Sequence, residues 1–153
     1  MYSYRVVLIN LNILEYIEIG AIELKAGTVF WHKKDIPFDK EFMFLKEVGF
    51  DGVEVTISEK GESILPLSAR GYLRIENLRK DAEELRKAGS ETGLEIHSVR
   101  SGLLWKYPLT SPDPCIREKA MDIVRKGLEI CSYLGADSLL VVPGVVTEDL
   151  PYD

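Results

Sequence analysis

The sequence predicts an α/β fold built from repeated βα units with parallel strands. Residues 47–57 (EVGFDGVEVTI) and 133–144 (YLGADSLLVVPG) share one pattern: a helix end, a glycine, an apolar residue, an aspartate, a small residue and an apolar run. A looser third copy lies at 91–99 (ETGLEIHSV). Glycine ends helices because it adopts the left-handed conformation at little cost. The glycines at these ends lie 44 and 42 residues apart, which indicates a βα repeat: Gly49, Gly93 and Gly135.

Taken in order, the elements from residue 27 onward are four strands and three helices. The first strand is GTVFWH, residues 27–32, and the other three follow the glycines as short, bounded apolar runs typical of buried parallel strands. The predicted helices have apolar residues at helical spacing and span 39–48, 76–92 and 113–134. Asp113 suits the N-cap of the last helix and Pro114 its first position.

Residues 1–26 form an N-terminal extension whose structure the sequence leaves open. The segment is rich in apolar residues, but charged residues interrupt it, so it lacks the run of about 18 apolar residues that a transmembrane helix needs. It also lacks the basic start and cleavage site of a signal peptide. An extra strand pair and a segment outside the domain both fit. The predicted domain boundary separates 1–26 from 27–153.

Composition and charge exclude several partners. The chain has 153 residues and a formal net charge of −6, with acidic and basic residues interleaved. Without a basic stripe we expect no nucleic-acid partner, and we expect no membrane association. Cys115 and Cys131 fall sixteen residues apart in one predicted helix. Their Cα atoms would lie ~24 Å apart, which predicts free thiols in a reducing, cytoplasmic location. Their spacing with histidine does not indicate zinc.

A half-barrel accounts for the repeat better than an open nucleotide-binding sheet. Neither GxGxxG nor GxxxxGK[ST] follows any strand, and these glycine-rich loops are what cradle phosphates in open sheets. A complete barrel of eight βα units needs roughly 250 residues. The sequence contains about four predicted strands and therefore indicates half of a TIM barrel.

Residues 101–144, together with LKEVGFDGVEV at 45–55, resemble the sugar-phosphate isomerase/epimerase family of xylose-isomerase-like TIM barrels. The similar features are an aromatic–Pro–Leu–Thr loop, Arg-Glu-Lys-Ala at a helix start, Leu-Gly-Ala-Asp, and a strand ending in Pro-Gly. The resemblance covers 27–144, the N-terminal half of a family barrel. It implies the ketose 3-epimerase and hexulose- or ribulose-phosphate epimerase group, with metal-dependent proton transfer on a ketose or its phosphate.

The same resemblance implies that the catalytic half is missing. Family members bind a divalent metal (Mn, Mg, Co or Zn) through carboxylates and a histidine on strands five to eight. This chain has two histidines, His32 and His97, and we expect it to bind no metal alone and to contain no catalytic residue. The expectation is therefore a truncated, inactive half, which leaves open whether the chain is an enzyme.

Side-chain alternation identifies candidate substrate-binding residues on two strands. Glu54, Thr56 and Ser58 share the face toward the barrel axis, since the opposite face of that strand is apolar. The resemblance puts Glu54 near the sugar pocket, and the alternative is an interior ion pair with Arg or Lys. His97 is expected inward at a strand's C-terminal end, where it binds a sugar hydroxyl, supports a metal ligand or is structural. His32 is expected in a solvated loop.

The loop that leaves the third strand carries two further candidates. Trp105 and Tyr107 lie just before Pro108, Pro112 and Pro114, which restrict the backbone, at the face where barrel enzymes place their active-site loops. They form either an aromatic wall for a sugar or a hydrophobic plug at the barrel mouth. Trp31 is expected to be a pocket wall or a core residue. Gly144, at the end of the fourth strand, leaves room for a ligand or a neighbouring loop.

Three classes of function remain from the sequence. The first is a sugar or sugar-phosphate isomerase or epimerase, complete or as a fragment. The second is an endonuclease-type barrel relative that acts on DNA, against which the acidic charge argues. The third is a non-catalytic half-barrel that pairs with another copy, because a half-barrel exposes strand edges and apolar faces. We expect a sugar substrate and a homo-oligomer.

Overall fold

The computed structural model describes residues 25–32, 36–59, 73–144 and 146, and the backbone of residues 6–7 and 16–17. From residue 27 onward strands and helices alternate as the repeat predicts, apart from one short additional strand at Leu73–Arg74. In chain order the elements are β1 Val6–Val7, β2 Tyr16–Ile17, β3 Gly27–Val29, α1 Phe38–Val48, β4 Gly52–Ser58, β5 Leu73–Arg74, α2 Leu78–Thr92, β6 Glu95–Ser101, a 3₁₀ turn Gly102–Trp105, α3 Pro114–Leu134 and β7 Ser138–Leu140.

The main sheet is parallel and has the strand order β3-β4-β6-β7, while β5 pairs with the end of β4. Along the order β3-β4-β6-β7 each strand is joined to the next through a helix, α1, α2 and α3 in turn, which is the connection that parallel strands need. The described part of the chain is thus a parallel α/β sheet with three helices, a partial TIM barrel, and this confirms the predicted fold class. Separately, β1 and β2 pair antiparallel within the N-terminal extension. The domain boundary at residue 27 stays a prediction.

The repeat glycines end the helices as their spacing indicates. Gly49, Gly93 and Gly135 have φ values of +106°, +69° and +74°, and no atom lies close enough to obstruct a Cβ at any of them. Backbone conformation alone therefore requires glycine at these positions. At the other end of α3, Asp113 accepts a hydrogen bond of 2.8 Å from the Cys115 amide, and Pro114 occupies the first helical position.

One apolar core lies between the sheet and the helices. Val53, Val55 and Ile57 of β4 are fully buried on the helix side of the sheet. Residues from all three helices pack against this side, including Phe42, Leu85 and Ile123. The opposite side of the sheet, here called the inner face, therefore carries the polar side chains of β4. The alternation predicted for β4 is confirmed.

Strand β6 departs from the simple alternation. Val53 pairs with Ile96, but the next residue, Glu54, pairs with Ser98, so His97 is an extra residue in the ladder. Such a bulge shifts the facing of every residue that follows it. Beyond the bulge Val99 is buried in the core and Ser98 and Arg100 lie on the inner face.

Within the described residues, no helix is long and apolar enough to cross a membrane. Both cysteines lie in α3 and are free, as predicted, with Cys115 exposed and Cys131 buried. Burial raises the pKa of the Cys131 thiol, so that the thiol is protonated at neutral pH.

Candidate functional site

A polar network crosses the inner face from β4 to β6. The Ser98 hydroxyl donates to Glu54 Oε2 at 3.0 Å, and Arg100 Nε donates to Thr56 Oγ1 at 2.8 Å. Arg100 Nε also lies 3.8 Å from Glu54 Oε1. These two residue pairs stand side by side because the register aligns Glu54 with Ser98 and Thr56 with Arg100. The network orients one carboxylate and one guanidinium on the inner face.

The charges of this network are only partly shielded from solvent. The side chains of Glu54 and Arg100 are 17% and 25% exposed, so their attraction is stronger than in bulk water. The interior ion pair with arginine, left open by the sequence, is thus the arrangement that the structure has. Whether Glu54 also contacts a sugar stays a prediction.

Trp31 continues the inner face beside Arg100. The guanidinium carbon of Arg100 lies 4.9 Å from the centre of the Trp31 ring, a cation–π distance. The Trp31 side chain is 44% exposed, so the prediction of a core residue is wrong. Its neighbour Phe30 is the residue that enters the core, at 4% exposure. A flat aromatic face and a fixed guanidinium therefore adjoin at the C-terminal half of the sheet.

The predicted position of His97 at a strand's C-terminal end is wrong. His97 is the third residue of β6, which runs to Ser101 rather than ending at Val99, and it sits on the bulge near the strand's start. Its ring covers Gly27 and Gly52, the first residues of β3 and β4. It lines a cavity of about 510 Å³ together with Glu54 and Asp51. A substrate-binding role for His97 stays a prediction, at the end opposite the loops.

His32 is not in a solvated loop, which corrects the expectation for that residue. Its Nδ1 lies 2.5 Å from Glu41 Oε2 of α1, and the two side chains are 18% and 9% exposed. Its ring packs edge-on against Phe38 with centroids 4.9 Å apart. The pairing ties the segment after β3 to α1, so His32 belongs to the helix side of the sheet.

The loop after β6 starts as a short 3₁₀ turn, Gly102–Trp105. Leu103 and Leu104 are buried, whereas Trp105 is 58% exposed. Tyr107 is partly buried against the core and its hydroxyl donates to Glu59 Oε2 at 3.2 Å. The loop therefore plugs the core with leucines and presents Trp105 to solvent. The aromatic sugar wall of Trp105 and Tyr107 stays a prediction.

A second charged cluster anchors this loop, and the sequence alone did not single it out. Glu59, directly after β4, accepts hydrogen bonds at 3.1 Å from Lys106 and from Lys119. Burial alone would raise the pKa of Glu59, but the hydrogen bonds from Lys106, Lys119 and Tyr107 outweigh it and hold the pKa below 4.5. Its position in the sequence could have indicated it, because Glu59 directly follows a strand at the face where barrels carry functional loops.

Gly144 is in contact with the same loop. A Cβ at this position would stand 2.5 Å from Thr110 Oγ1 and 3.0 Å from Thr110 Cγ2. The sequence left open whether a ligand or a neighbouring loop occupies the space beside Gly144. In the structure the loop residue Thr110 lies there. A ligand contact at Gly144 stays a prediction.

The residues that the structure describes do not fit a divalent metal. Among the described residues, no group of three or more histidine, cysteine, aspartate or glutamate side chains could hold one. Glu54, the carboxylate of the inner face, is instead engaged by Ser98 and Arg100.

Comparisons with known proteins agree with this architecture. The family model for the xylose isomerase-like TIM barrel matches residues 42–153. The L-ribulose-5-phosphate 3-epimerase UlaE of Salmonella heidelberg is 28% identical over 96 residues, which cover 63% of this chain and 31% of the enzyme. The putative L-ribulose-5-phosphate 3-epimerase SgbU of Escherichia coli is 28% identical over 67% of this chain and 33% of that protein. The chain spans about a third of the length of the curated relatives it matches.

Solved structures share the fold. The 3-keto-D-glucoside 4-epimerase YcjR of E. coli matches 78% of this chain and 38% of its own, with a TM-score of 0.56 and 23% identity. The D-allulose 3-epimerase of a Methylomonas species, solved with D-allulose, matches 82% of this chain and 42% of its own, with a TM-score of 0.51 and 19% identity. At these identities the similarity shows the fold alone.

Proposed function

We propose that this chain, which belongs to the xylose isomerase-like TIM barrel family, binds a ketose or ketose phosphate on its inner face and takes part in its epimerisation or isomerisation. The observation that carries the proposal is the network of Glu54 and Arg100, held by Ser98 and Thr56 beside the exposed ring of Trp31. The curated relatives bear the name of L-ribulose-5-phosphate 3-epimerases, which supports this substrate class.

Each inner-face residue has a distinct role in this proposal. The Glu54 carboxylate accepts hydrogen bonds from sugar hydroxyls, and the Arg100 guanidinium donates to hydroxyl or phosphate oxygens. The ring of Trp31 packs against the apolar C–H face of the sugar. Ser98 and Thr56 keep the two charged groups in fixed orientations, so less conformational entropy is lost when a ligand binds.

The proposal assigns binding, and not proton transfer, to the residues described. Family-level chemistry on a ketose requires a base that removes a proton and an acid that returns one. A divalent metal would polarise the ketose oxygens in that reaction. The described carboxylates do not form such a metal site. In this proposal the inner face supplies the wall that faces the substrate. Trp105, Tyr107 and Gly144 border this wall.

Calorimetric titration with L-ribulose 5-phosphate and with D-allulose tests the proposal. We expect measurable binding of at least one of them to the wild-type chain and a roughly tenfold or greater loss in the Arg100→Met variant, because a hydrogen bond to a charged group is removed. The matched control is Arg86→Met, since Arg86 stacks on Tyr133 on the helix side of the sheet. If neither sugar binds, or if the two variants lose affinity equally, the assignment is wrong.

The same proposal includes self-association. Helix α1 exposes three large apolar side chains: Met43, Phe44 and Val48 are 44%, 61% and 58% exposed. Phe44 and Val48 are four residues apart and share one helix face, and exposed apolar surface marks contact sites between proteins. Multi-angle light scattering should show a mass above 17.3 kDa for the wild type and a smaller mass for Phe44→Ser. A monomer at every concentration would contradict self-association while leaving sugar binding open.

A further inference from the structure

One carboxylate joins three elements at the C-terminal end of the sheet. Glu59 follows β4, Lys106 and Tyr107 belong to the loop after β6, and Lys119 lies in α3. All three donors reach the same carboxylate: Lys119 contacts Oε1, while Lys106 and Tyr107 contact Oε2. The Glu59 side chain is 22% exposed, which makes it the least exposed member of the two ion pairs.

We propose that Glu59 is the positioning residue of the aromatic loop, defined here as residues 101–113. It acts through Lys106 and Tyr107, which follow Trp105 directly in the chain. By holding these two neighbours it sets where the Trp105 ring stands beside the inner face. The functional part of this inference rests on the proposed sugar site, but the positioning itself does not.

The charges explain why a single carboxylate has this influence. Lys106 and Lys119 each lie 3.1 Å from a Glu59 oxygen, so the two ammonium groups converge on one anion. Lys119 also stands 3.6 Å from the centre of the Tyr107 ring. With Glu59 neutralised, both lysines lose this ion pair and Tyr107 loses a charged acceptor. The contacts between the loop, α3 and the end of β4 then weaken together.

The exposure of the lysines makes this positioning adjustable. The side chains of Lys106 and Lys119 are 44% and 47% exposed, so dissolved salt screens both ion pairs. Contacts between half-exposed charges are individually weak. Leu103 and Leu104 anchor the start of the aromatic loop in the core, whereas the Glu59 contacts hold its Lys106–Tyr107 segment through several weak interactions. That segment can therefore be released without unfolding the core.

Hydrogen–deuterium exchange of the full chain tests the positioning role. In Glu59→Gln we expect the backbone amides of 102–113 to exchange about fivefold faster than in the wild type, while those of β4 and β6 keep their rates. Glu59→Asp, which retains the charge, should restore most of the protection. The matched control is Glu91→Gln, because Glu91 pairs only weakly with Lys87 at 3.8 Å on exposed α2. Unchanged loop exchange in Glu59→Gln would overturn the proposal.

Salt dependence separates an ionic anchor from general destabilisation. In the wild type, raising sodium chloride from roughly 0.01 M to 1 M shortens the screening length about tenfold. Loop exchange should accelerate over this range in the wild type but not in Glu59→Gln, which has no Glu59 ion pair for salt to screen. If salt does not change the rate of loop exchange in the wild type, the ionic anchor is refuted, even if the Glu59→Gln variant is unstable throughout.

A ligand arm distinguishes this inference from the proposed function. If the chain binds L-ribulose 5-phosphate, Glu59→Gln should weaken that binding severalfold, and the bound sugar should slow loop exchange in the wild type. Faster loop exchange in the variant without any sugar binding would refute the proposed function and retain the anchor. Sugar binding that is identical in the wild type and Glu59→Gln would refute the link between anchor and site.

Discussion

The imidazole of His97 lies directly over Gly27, where a Cβ would stand 2.6 Å from Nε2. Real Cβ atoms do not approach a nitrogen this closely, so either the ring or the strand must shift on substitution. We expect Gly27→Ala to lower the free energy of unfolding by about 1–3 kcal/mol through overpacking, measured by urea denaturation.

The partner substitution gives the control for this relationship. In a His97→Ala background the ring is gone, and Gly27→Ala should then cost much less, which a double-mutant cycle reports as a coupling energy. An equal cost in both backgrounds would show that His97 is not the obstacle. His97→Ala should reduce the cost of Gly52→Ala less than that of Gly27→Ala. A Cβ at Gly52 would also stand 2.9 Å from the Glu95 carbonyl oxygen, which remains in that background.

Asp81 holds β5 to α2 and should be important for stability. Its buried carboxylate accepts hydrogen bonds from the Arg74 amide at 2.9 Å and from Arg74 Nε at 2.8 Å, and it also contacts Arg74 Nη2. The Asp81 contacts raise the pKa of Arg74. Asp81→Ala removes the acceptor of a part-buried amide, and we expect a loss of about 2 kcal/mol in thermal or urea unfolding. Exposed Glu83→Ala on the same helix is the control, and equal effects would contradict this role.

The pH dependence of the Glu59 contacts follows from two opposite pKa shifts. The folded-state pKa of Glu59 is below 4.5, so its contribution to stability is fully present above pH 4.5 and is lost as the pH falls through the folded value. Although burial opposes it, the hydrogen bonds to Tyr107 and Glu59 raise the pKa of Lys119 above 10.5. Its contribution is therefore present below pH 10.5 and lost as the pH rises through the folded value. Both contributions are complete at neutral pH.

Carbon-detected NMR titration of the Glu59 carboxyl group measures this directly. We expect an apparent pKa below 4.5 in the wild type and a higher value in Lys119→Met, since a hydrogen bond and a nearby positive charge are removed. Lys126→Met is the matched control, because Lys126 pairs with Asp122 elsewhere on α3. The assignment fails if both lysine variants leave the Glu59 titration unchanged.

Trp105 gives the most direct test of the aromatic loop as part of the sugar site. Its side chain is 58% exposed, so Trp105→Ala should leave the unfolding free energy within about 0.5 kcal/mol of the wild type. If the ring packs on the sugar, the same variant should bind L-ribulose 5-phosphate severalfold more weakly, while Trp105→Phe retains part of the affinity. Unchanged affinity in Trp105→Ala would remove this residue from the site.

Local patterns in the sequence were sufficient for the helix ends and for the face of β4. Gly49, Gly93 and Gly135 end helices because of their own backbone conformation, a property that depends on no distant residue. The alternation in β4 is likewise a local property, because successive side chains of a regular strand point to opposite faces. The fold class followed from these two regularities.

The candidate site, in contrast, depends on register between segments that are far apart in the chain. Glu54 meets Ser98 and Thr56 meets Arg100 across 44 residues, and the bulge at His97 decides that Arg100 points to the inner face. Neither strand's own pattern records that insertion. Ending the predicted strand at Val99 placed His97 at the wrong end, and alternation without the bulge overlooked Arg100.

The pairing of His32 with Glu41 and the convergence on Glu59 also depend on tertiary packing. Glu59 is 47 residues from Lys106 and 60 from Lys119. The spacing of residues along the sequence cannot show that these side chains come together, because they do so only when helix α3 packs on the sheet. The sequence by itself determined the three helices and the four strands of the repeat, but neither β5 nor the end of β3 at Val29. The tertiary structure decided which charged side chains meet, since that depends on strand register and helix packing.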